Sequence, residues 1–373
     1  RHRGEPIPAF TIGFDGAGPD ERAHSTEAAE VMRSPLTTVT MDKSMLGATF
    51  PELVLAAEGP VLDTSCAALL RLAQAVHGQG YKVVLTGEGA DEALAGYVWY
   101  KTQKVRDGVY STLGRGLPRV MRNLAARSIA GRRLVVPPEA AIGGVRPAQQ
   151  DLYEMISQSK PILYSESMQQ RLEGHSPYSD LDITAKDMTR WAPLNQSLYV
   201  GYKVMLAGLL MISKGDRIAM NASVESRYPY LDDDVISFCA GIAPEYKLHG
   251  MTEKWILRQV AARILPERIA NRPKTMFRAS LAQTFLGPQR PPWVDQLLSP
   301  ESLRKTGYFD ADSVLAQRAR QTRIPRITPA RFIFDVALTC VVSTQLWHHL
   351  FLGGGLCDLP TWQPPVAVDA ETQ

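Results

Sequence analysis

Apolar positions in the first hundred residues fall into two kinds of run. The short ones are residues 8–13, 36–40 and 82–85. Pro8-Ala9-Phe10-Thr11-Ile12-Gly13 and Lys82-Val83-Val84-Leu85 are continuous and predict buried strands; Leu36-Thr37-Thr38-Val39-Thr40 is β-branched and predicts another. The longer runs have helical spacing. Residues 65–79 place Ala67, Leu69, Leu70, Leu72 and Val76 on one face, and residues 21–32 and 90–100 are helical in composition. Strands alternating with helices predict an α/β fold, a parallel sheet with helices on both faces. Ligands of such sheets bind beyond the carboxyl ends of the strands, where Ile12-Gly13 and Thr86-Gly87-Glu88 stand.

The texture changes after residue 104. Between Asp107 and Glu139 there is no acidic residue, while Arg115, Arg119, Arg122, Arg127, Arg132 and Arg133 fall in that window. The pattern predicts a solvated helical stretch with a basic face. Residues 1–104 read as the sheet-bearing part, 105–195 as a basic, partly mobile insertion, and 196–373 as a large helical part. Within the last, residues 202–211 are strongly apolar and predict a core helix; 235–243, 253–264 and 330–352 predict further helices. His348 and His349 are adjacent and therefore diverge on a helix, which predicts surface histidines. The tail after Gly353, with Pro360, Pro364 and Pro365, is expected to be poorly ordered.

Chemistry concentrates where the third strand ends. Leu85-Thr86-Gly87-Glu88-Gly89-Ala90-Asp91-Glu92 is a strand, a glycine turn and a helix start, the geometry that cradles phosphate. Its acids, Glu88, Asp91 and Glu92, would repel phosphate unless a hard cation lay between them. A second charged stretch runs from Lys214 to Asp232, with Asp216, Arg217, Glu225 and Arg227 among small and apolar neighbours. These form either an internal ion-pair network or, for Asp216 and one arginine, a face toward an acidic or zwitterionic substrate. Third, Arg272-Pro273-Lys274 is a stiff basic loop whose lysine could grip pyrophosphate.

Composition narrows the partners. The chain has 373 residues, a net charge of +3 and 45% hydrophobic residues, which gives no argument for nucleic acid. No apolar run is long enough to span a bilayer. Cys66, Cys239, Cys340 and Cys357 lack metal-ligand spacing and suit reduced thiols in a cytoplasmic protein.

Together the motifs resemble the synthetase domain of the glutamine-hydrolysing asparagine synthetase family. The likeness rests on Leu85–Glu92 with Ala95-Gly96-Tyr97, on Asp216 through Asp232, and on Arg272-Pro273-Lys274, in that order. The resemblance implies an adenine-nucleotide α-hydrolase-like fold of the N-type ATP pyrophosphatase kind. It implies ATP and magnesium, an adenylated carboxylate acceptor, and ammonia supplied by a glutaminase domain. By the match, Ile12 and Gly13 would lie against adenine, and Thr86 and Gly87 near the ribose and α-phosphate. Asp91 would ligate magnesium, Glu88 would act as base toward ammonia, and Lys274 would hold the departing pyrophosphate. Asp216 and Arg227 would help build the acceptor side, and Tyr97 would pack over the site.

The family's Ser-Gly-Gly-x-Asp-Ser loop and its N-terminal cysteine nucleophile have no counterpart here, and the first residue is Arg1. The chain is therefore expected to be the C-terminal portion of a longer polypeptide, and weak at binding ATP alone. Glu88 leans toward amidation by ammonia rather than ring closure of the β-lactam synthetase kind. Ser226 and Tyr228 replace residues that are commonly small or apolar, so the acceptor is aspartate or a larger carboxylate. A non-catalytic scaffold is the reading from another class; Glu88, Asp91 and Lys274 speak against it. A homodimer is left open.

Overall fold

Two six-residue strands form the first sheet of the computed structural model. β1 (Ala9–Phe14) and β2 (Leu36–Met41) run parallel, with Ala9 opposite Leu36 and Phe14 opposite Met41. α1 (Arg22–Met32) makes the crossover and ends on Arg33 in the left-handed region. The structure describes residues 5–15, 21–113, 142, 144–157, 159–175, 177–181, 183, 186–273, 281–321 and 329–363.

Behind this sheet lie α2 (Lys43–Ala57) and α3 (Cys66–Gly78). α2 starts where the Asp42 carboxylate accepts the Met45 N–H at 2.8 Å, which satisfies one orphan donor of the first turn. The long helix Pro329–Phe351 packs on α2. Leu46, Phe50, Leu53 and Leu70 meet Leu338, Val341 and Val342 in the main core. Each such side chain contributes about 1.5–3 kcal/mol by leaving water. Phe285 meets Phe50 edge-on at 4.7 Å. Across 282 residues of sequence, Ser343 Oγ accepts the Val61 N–H at 2.7 Å.

The second parallel pair is shorter. β3 (Val83–Leu85) lies beside β4 (Glu225–Arg227), Val83 opposite Glu225 and Leu85 opposite Arg227. β5 (Leu248–His249) and β6 (Thr252–Glu253) form a hairpin. The single parallel sheet expected from the strand–helix alternation is thus, among the described residues, two separate parallel pairs and a hairpin. The coarser expectation, a mixed α/β fold with a helical C-terminal part, holds. The prediction that residues 82–85 form a buried strand does not, because Val83 is 40% and Leu85 62% exposed. Three residues paired along one edge leave these side chains open to water.

Three further expectations are corrected. Residues 202–211 are apolar, but the chain there is a π-helix, Gly201–Leu210, in which only Gly201 and Leu206 are buried. The wider turn of i→i+5 bonding abandons the 3.6-residue stripe that a core helix needs. His349 is buried rather than on the surface: it accepts the Leu356 N–H at Nδ1 (3.3 Å) and donates from Nε2 to the Leu359 carbonyl (2.7 Å). That anchors the tail as far as residue 363, with buried Leu356 on the core and the Trp362 N–H on the Leu350 carbonyl at 3.0 Å. Pro364 and Pro365 lie outside the described residues.

α5 (Val98–Leu113) crosses residue 104 without a break. The helix Ala148–Ser157 docks on it through Arg106–Asp151 (3.3 Å), and Arg146, just before that helix, also pairs with Asp151 (2.7 Å). The arginine-rich stretch from Arg115 to Arg133 lies outside the described residues. All four cysteines are free thiols. No described helix is long and apolar enough to cross a membrane.

Candidate active site

β3 ends where the chain must turn sharply. The Thr86 N–H still reaches the Arg227 carbonyl at 3.0 Å, so β4 steers the loop as well as the strand. Gly87 follows with nothing within 4 Å of where a Cβ would stand, which leaves room for a ligand beside the backbone. Gly89 has φ +90°, and a Cβ there would lie 2.3 Å from Leu231 Cδ2. Only glycine fits both the conformation and the approach of residue 231. Gly89 opens α4 (Ala90–Ala93), with Asp91 and Glu92 in its first turn.

The loop's acids have different fates. Thr86 donates its hydroxyl to the Glu88 carboxylate, which aims that carboxylate along the strand end. Asp91 Oδ1 forms an ion pair with Lys254 Nζ at 2.8 Å, the two side chains 14% and 20% exposed. Beneath this pair lies Gly96, where a Cβ would stand 1.8 Å from Asp91 Oδ1 and 2.4 Å from Lys254 Cε. Gly96 is glycine because the pair occupies its side-chain space. Glu92 is buried, and desolvation, helped by the charge of Asp91, pushes its carboxyl up to about 7. Tyr97 lies against Glu92 and stacks on Trp99 at 4.3 Å, in a cluster with Ala95, Tyr100 and Leu198. Burial, and then the negative charge of Glu92, hold the Tyr97 hydroxyl well above its ordinary range.

Sequence reasoning missed Lys254. It sits in the left-handed region at φ 51° and starts the helix Trp255–Ala261, and its N–H reaches the Leu94 carbonyl at 3.0 Å. A non-glycine residue there is held by its surroundings, here the α4 end on one side and Asp91 on the other. The only local signal was a run of charge, Glu253, Lys254 and Arg258. Glu253 is buried between Lys101 (2.5 Å) and Arg258 (2.6 Å).

The second stretch is an ion-pair network in part: Lys214 pairs with Asp63 at 2.6 Å and Arg217 with Glu58 at 3.7 Å, while its other charges are exposed. Asp216 is exposed and accepts the Tyr228 hydroxyl at 2.8 Å. Arg217 donates to the Ala57 carbonyl at 2.7 Å. Glu225 and Arg227 pair with each other at 2.7 Å while 56% and 59% exposed. Tyr228, not singled out as a site residue, is the connection: burial, then Asp216 and Glu88, all push its hydroxyl above the ordinary range, so both carboxylates lie around it. At the end of β1, Ile12 is in the main core and Gly13 lies under the Arg22 stem, a Cβ there meeting Arg22 Cδ at 2.4 Å. Lys274 lies outside the described residues; the chain leading to it is held by Arg272, which pairs with Glu21 at 2.9 Å. The structure therefore gathers Thr86, Gly87, Glu88, Asp91, Lys254, Tyr228 and Asp216 around one loop.

Among the described residues no three His, Cys, Asp or Glu side chains come together as metal ligands. Carboxylate oxygens at Glu88 and Asp91 suit a hard cation that completes its shell with phosphate and water, and the open space at Gly87 suits the phosphate.

This loop, with the two downstream stretches, lies in a chain that matches the model of the asparagine synthase family over residues 1–349. The chain belongs to the asparagine synthase family. Curated proteins similar to it include the "Amidase chyE" of Penicillium rubens, 28% identical over 321 residues, 81% of this chain and 47% of that one. The "Amidase chry2" of Gibberella zeae is 25% identical over 334 residues, again 81% and 47%. The "Asparagine synthetase [glutamine-hydrolyzing] 1" of Bacillus subtilis is 26% identical over 355 residues, 92% and 52%. The chain thus spans about half the length of these curated relatives.

Proposed function

We propose that this chain is the synthetase half of an ATP-dependent, AMP-forming amide ligase. It activates a carboxylate as an acyl-adenylate and directs ammonia, released from glutamine by a separate glutaminase domain, onto it. The observation that carries this reading is the convergence on one strand end: a glycine turn with open space at Gly87, two carboxylates, and the Asp91–Lys254 pair seated on Gly96. Family membership supports an amide-forming ligase. The fungal relatives named amidases point to chemistry at an amide bond.

An oxygen of the acceptor carboxylate attacks the α-phosphorus of ATP, and pyrophosphate leaves. Magnesium, when bound with the nucleotide, neutralises phosphate charge so that the acceptor can approach. Asp91 would hold it, and Lys254 orients that carboxylate. Lys274 would receive the departing pyrophosphate charge. Ammonia then attacks the acyl carbon, Glu88 takes the proton the nitrogen sheds, and AMP leaves. Thr86 fixes Glu88 for that task. Tyr228 and Asp216, joined by a hydrogen bond at 2.8 Å, would border the acceptor together with Arg227.

The test is Glu88→Gln in the intact protein. ATP–pyrophosphate exchange is expected within about threefold of the parent, while amide formation falls by about 100-fold. An equal fall in both steps would make Glu88 a structural or metal-holding residue.

A further inference from the structure

A cavity of about 400 Å³ opens beside α4, between the helices Pro193–Val200 and Asp233–Gly241 and the π-helix. Its volume is that of a small-molecule pocket. Trp191, Tyr199, Tyr202 and Ile236 make the walls, and Asn195 and Lys247 supply polar atoms. Trp191 meets Tyr199 edge-on at 5.5 Å, so one side is a rigid aromatic corner, yet Trp191 remains exposed. Tyr202 is presented by the π-helix, a geometry often found at functional sites.

Lys247 is the feature that asks for a ligand. It is 2% exposed. Its ammonium donates to Asn195 Oδ1 at 3.2 Å and to the Ala240 carbonyl at 3.5 Å, both neutral acceptors. An ammonium has three donors, and no described carboxylate lies within ion-pair distance to take the third. Glu92 is the one acidic residue in the wall, and no described ion pair or hydrogen bond joins it to Lys247. A buried ammonium without an anion is unfavourable. The Ala240 carbonyl, at the end of its helix, gives Lys247 a structural use as well. It leaves the charge uncompensated. Asn195 accepts from Lys247 through its carbonyl, so its amide N–H groups remain to donate beside the ammonium.

We propose that this cavity binds a small carboxylic acid with an aromatic or branched apolar body. The carboxylate takes the third Lys247 N–H and an Asn195 N–H; the body lies against Trp191, Tyr199, Tyr202 and Ile236. One ammonium and one amide suit a monoanion, since a phosphate dianion would be left underpaired among apolar walls. The site stands apart from the nucleotide reading, because none of its contacts uses Gly87, Glu88 or Asp91.

The test is calorimetric titration of the intact protein, without nucleotide or magnesium, using 3-phenylpropionate and the uncharged 3-phenylpropan-1-ol. The acid is expected to bind at least tenfold more tightly than the alcohol. Lys247→Met should erase that preference while leaving the alcohol within threefold. Ile236→Trp, which fills the cavity, should weaken both at least tenfold. Should Lys247→Met fail to fold, Asn195→Leu keeps the ammonium and is expected to weaken the acid at least threefold. No binding of either probe, equal affinity of acid and alcohol, or an acid indifferent to Lys247→Met and Asn195→Leu would overturn the site. With the acid as sole acceptor, AMP release identifies the occupant as the acceptor, and affinity without AMP release identifies a second ligand. Both uphold the site, even if Glu88 proves to have no catalytic part.

Discussion

Two carboxylate–cation pairs of almost equal length flank the same short pair of strands. Asp91–Lys254 measures 2.8 Å and follows β3; Glu225–Arg227 measures 2.7 Å and lies on β4. The first has side chains 14% and 20% exposed, rests on a glycine that can be nothing else, and holds Lys254 in a left-handed conformation. The second is 56% and 59% exposed and joins residues two apart on one strand. Two charges about 4 Å apart attract by roughly 1 kcal/mol in water and roughly 4 kcal/mol near a protein surface. Distance therefore says little about either pair, and surroundings decide. The enclosed pair fixes the geometry of a loop, while the open one is a solvated contact that exchanges readily with water.

Gly96→Ala is the harshest way to break this contrast. It puts a methyl group into the space of Asp91 Oδ1 and Lys254 Cε, and is expected to lower unfolding stability by about 3–5 kcal/mol in urea titrations. A loss below about 1 kcal/mol would show that the pair relocates without consequence.

Next in size is Lys254→Met, which leaves a half-enclosed Asp91 without its cation and should remove about 3 kcal/mol. Adding Asp91→Asn should restore part of it, with a coupling of about 1 kcal/mol or more in the double-mutant cycle. The matching cycle on Glu225→Gln and Arg227→Met is expected to leave the unfolding midpoint unchanged. Equal couplings for the two pairs would refute the comparison.

The smallest effect concerns Glu92, a carboxyl beside the enclosed pair that stays protonated in the fold up to about 7. The unfolded chain releases that proton near 4.5, so the folded state binds more protons between the two values and loses stability as pH rises through that window. Glu92→Gln, always neutral, should escape the loss. Its advantage is expected to open from about pH 4.5, grow through that window and level off above about pH 7, in urea titrations across that range. A constant difference at all pH values would mean that Glu92 does not change charge there.

Much of the architecture was legible because local pattern reports local structure. Helical spacing over residues 65–79 and 330–352 became Cys66–Gly78 and Pro329–Phe351, and the β-branched run 36–40 became β2. The glycines of the signature loop were legible as a turn, though the reasons for two of them, Leu231 against Gly89 and the ion pair on Gly96, appear only in three dimensions. The exposure of Leu85 was not legible, because an apolar run reads the same whether or not a neighbour covers it. Nor was the burial of His349, whose partners arrive from the tail rather than from the helix that carries it.

From its residues alone, the chain declared its family, its first three strands, and the loop where charge and glycine meet. What folding alone settled was which charges answer one another. Lys254 stands 163 positions beyond Asp91, and no periodicity relates them. Local spacing governs backbone conformation through contacts a few residues apart, whereas burial and ion pairing depend on which distant segments the packed core brings together.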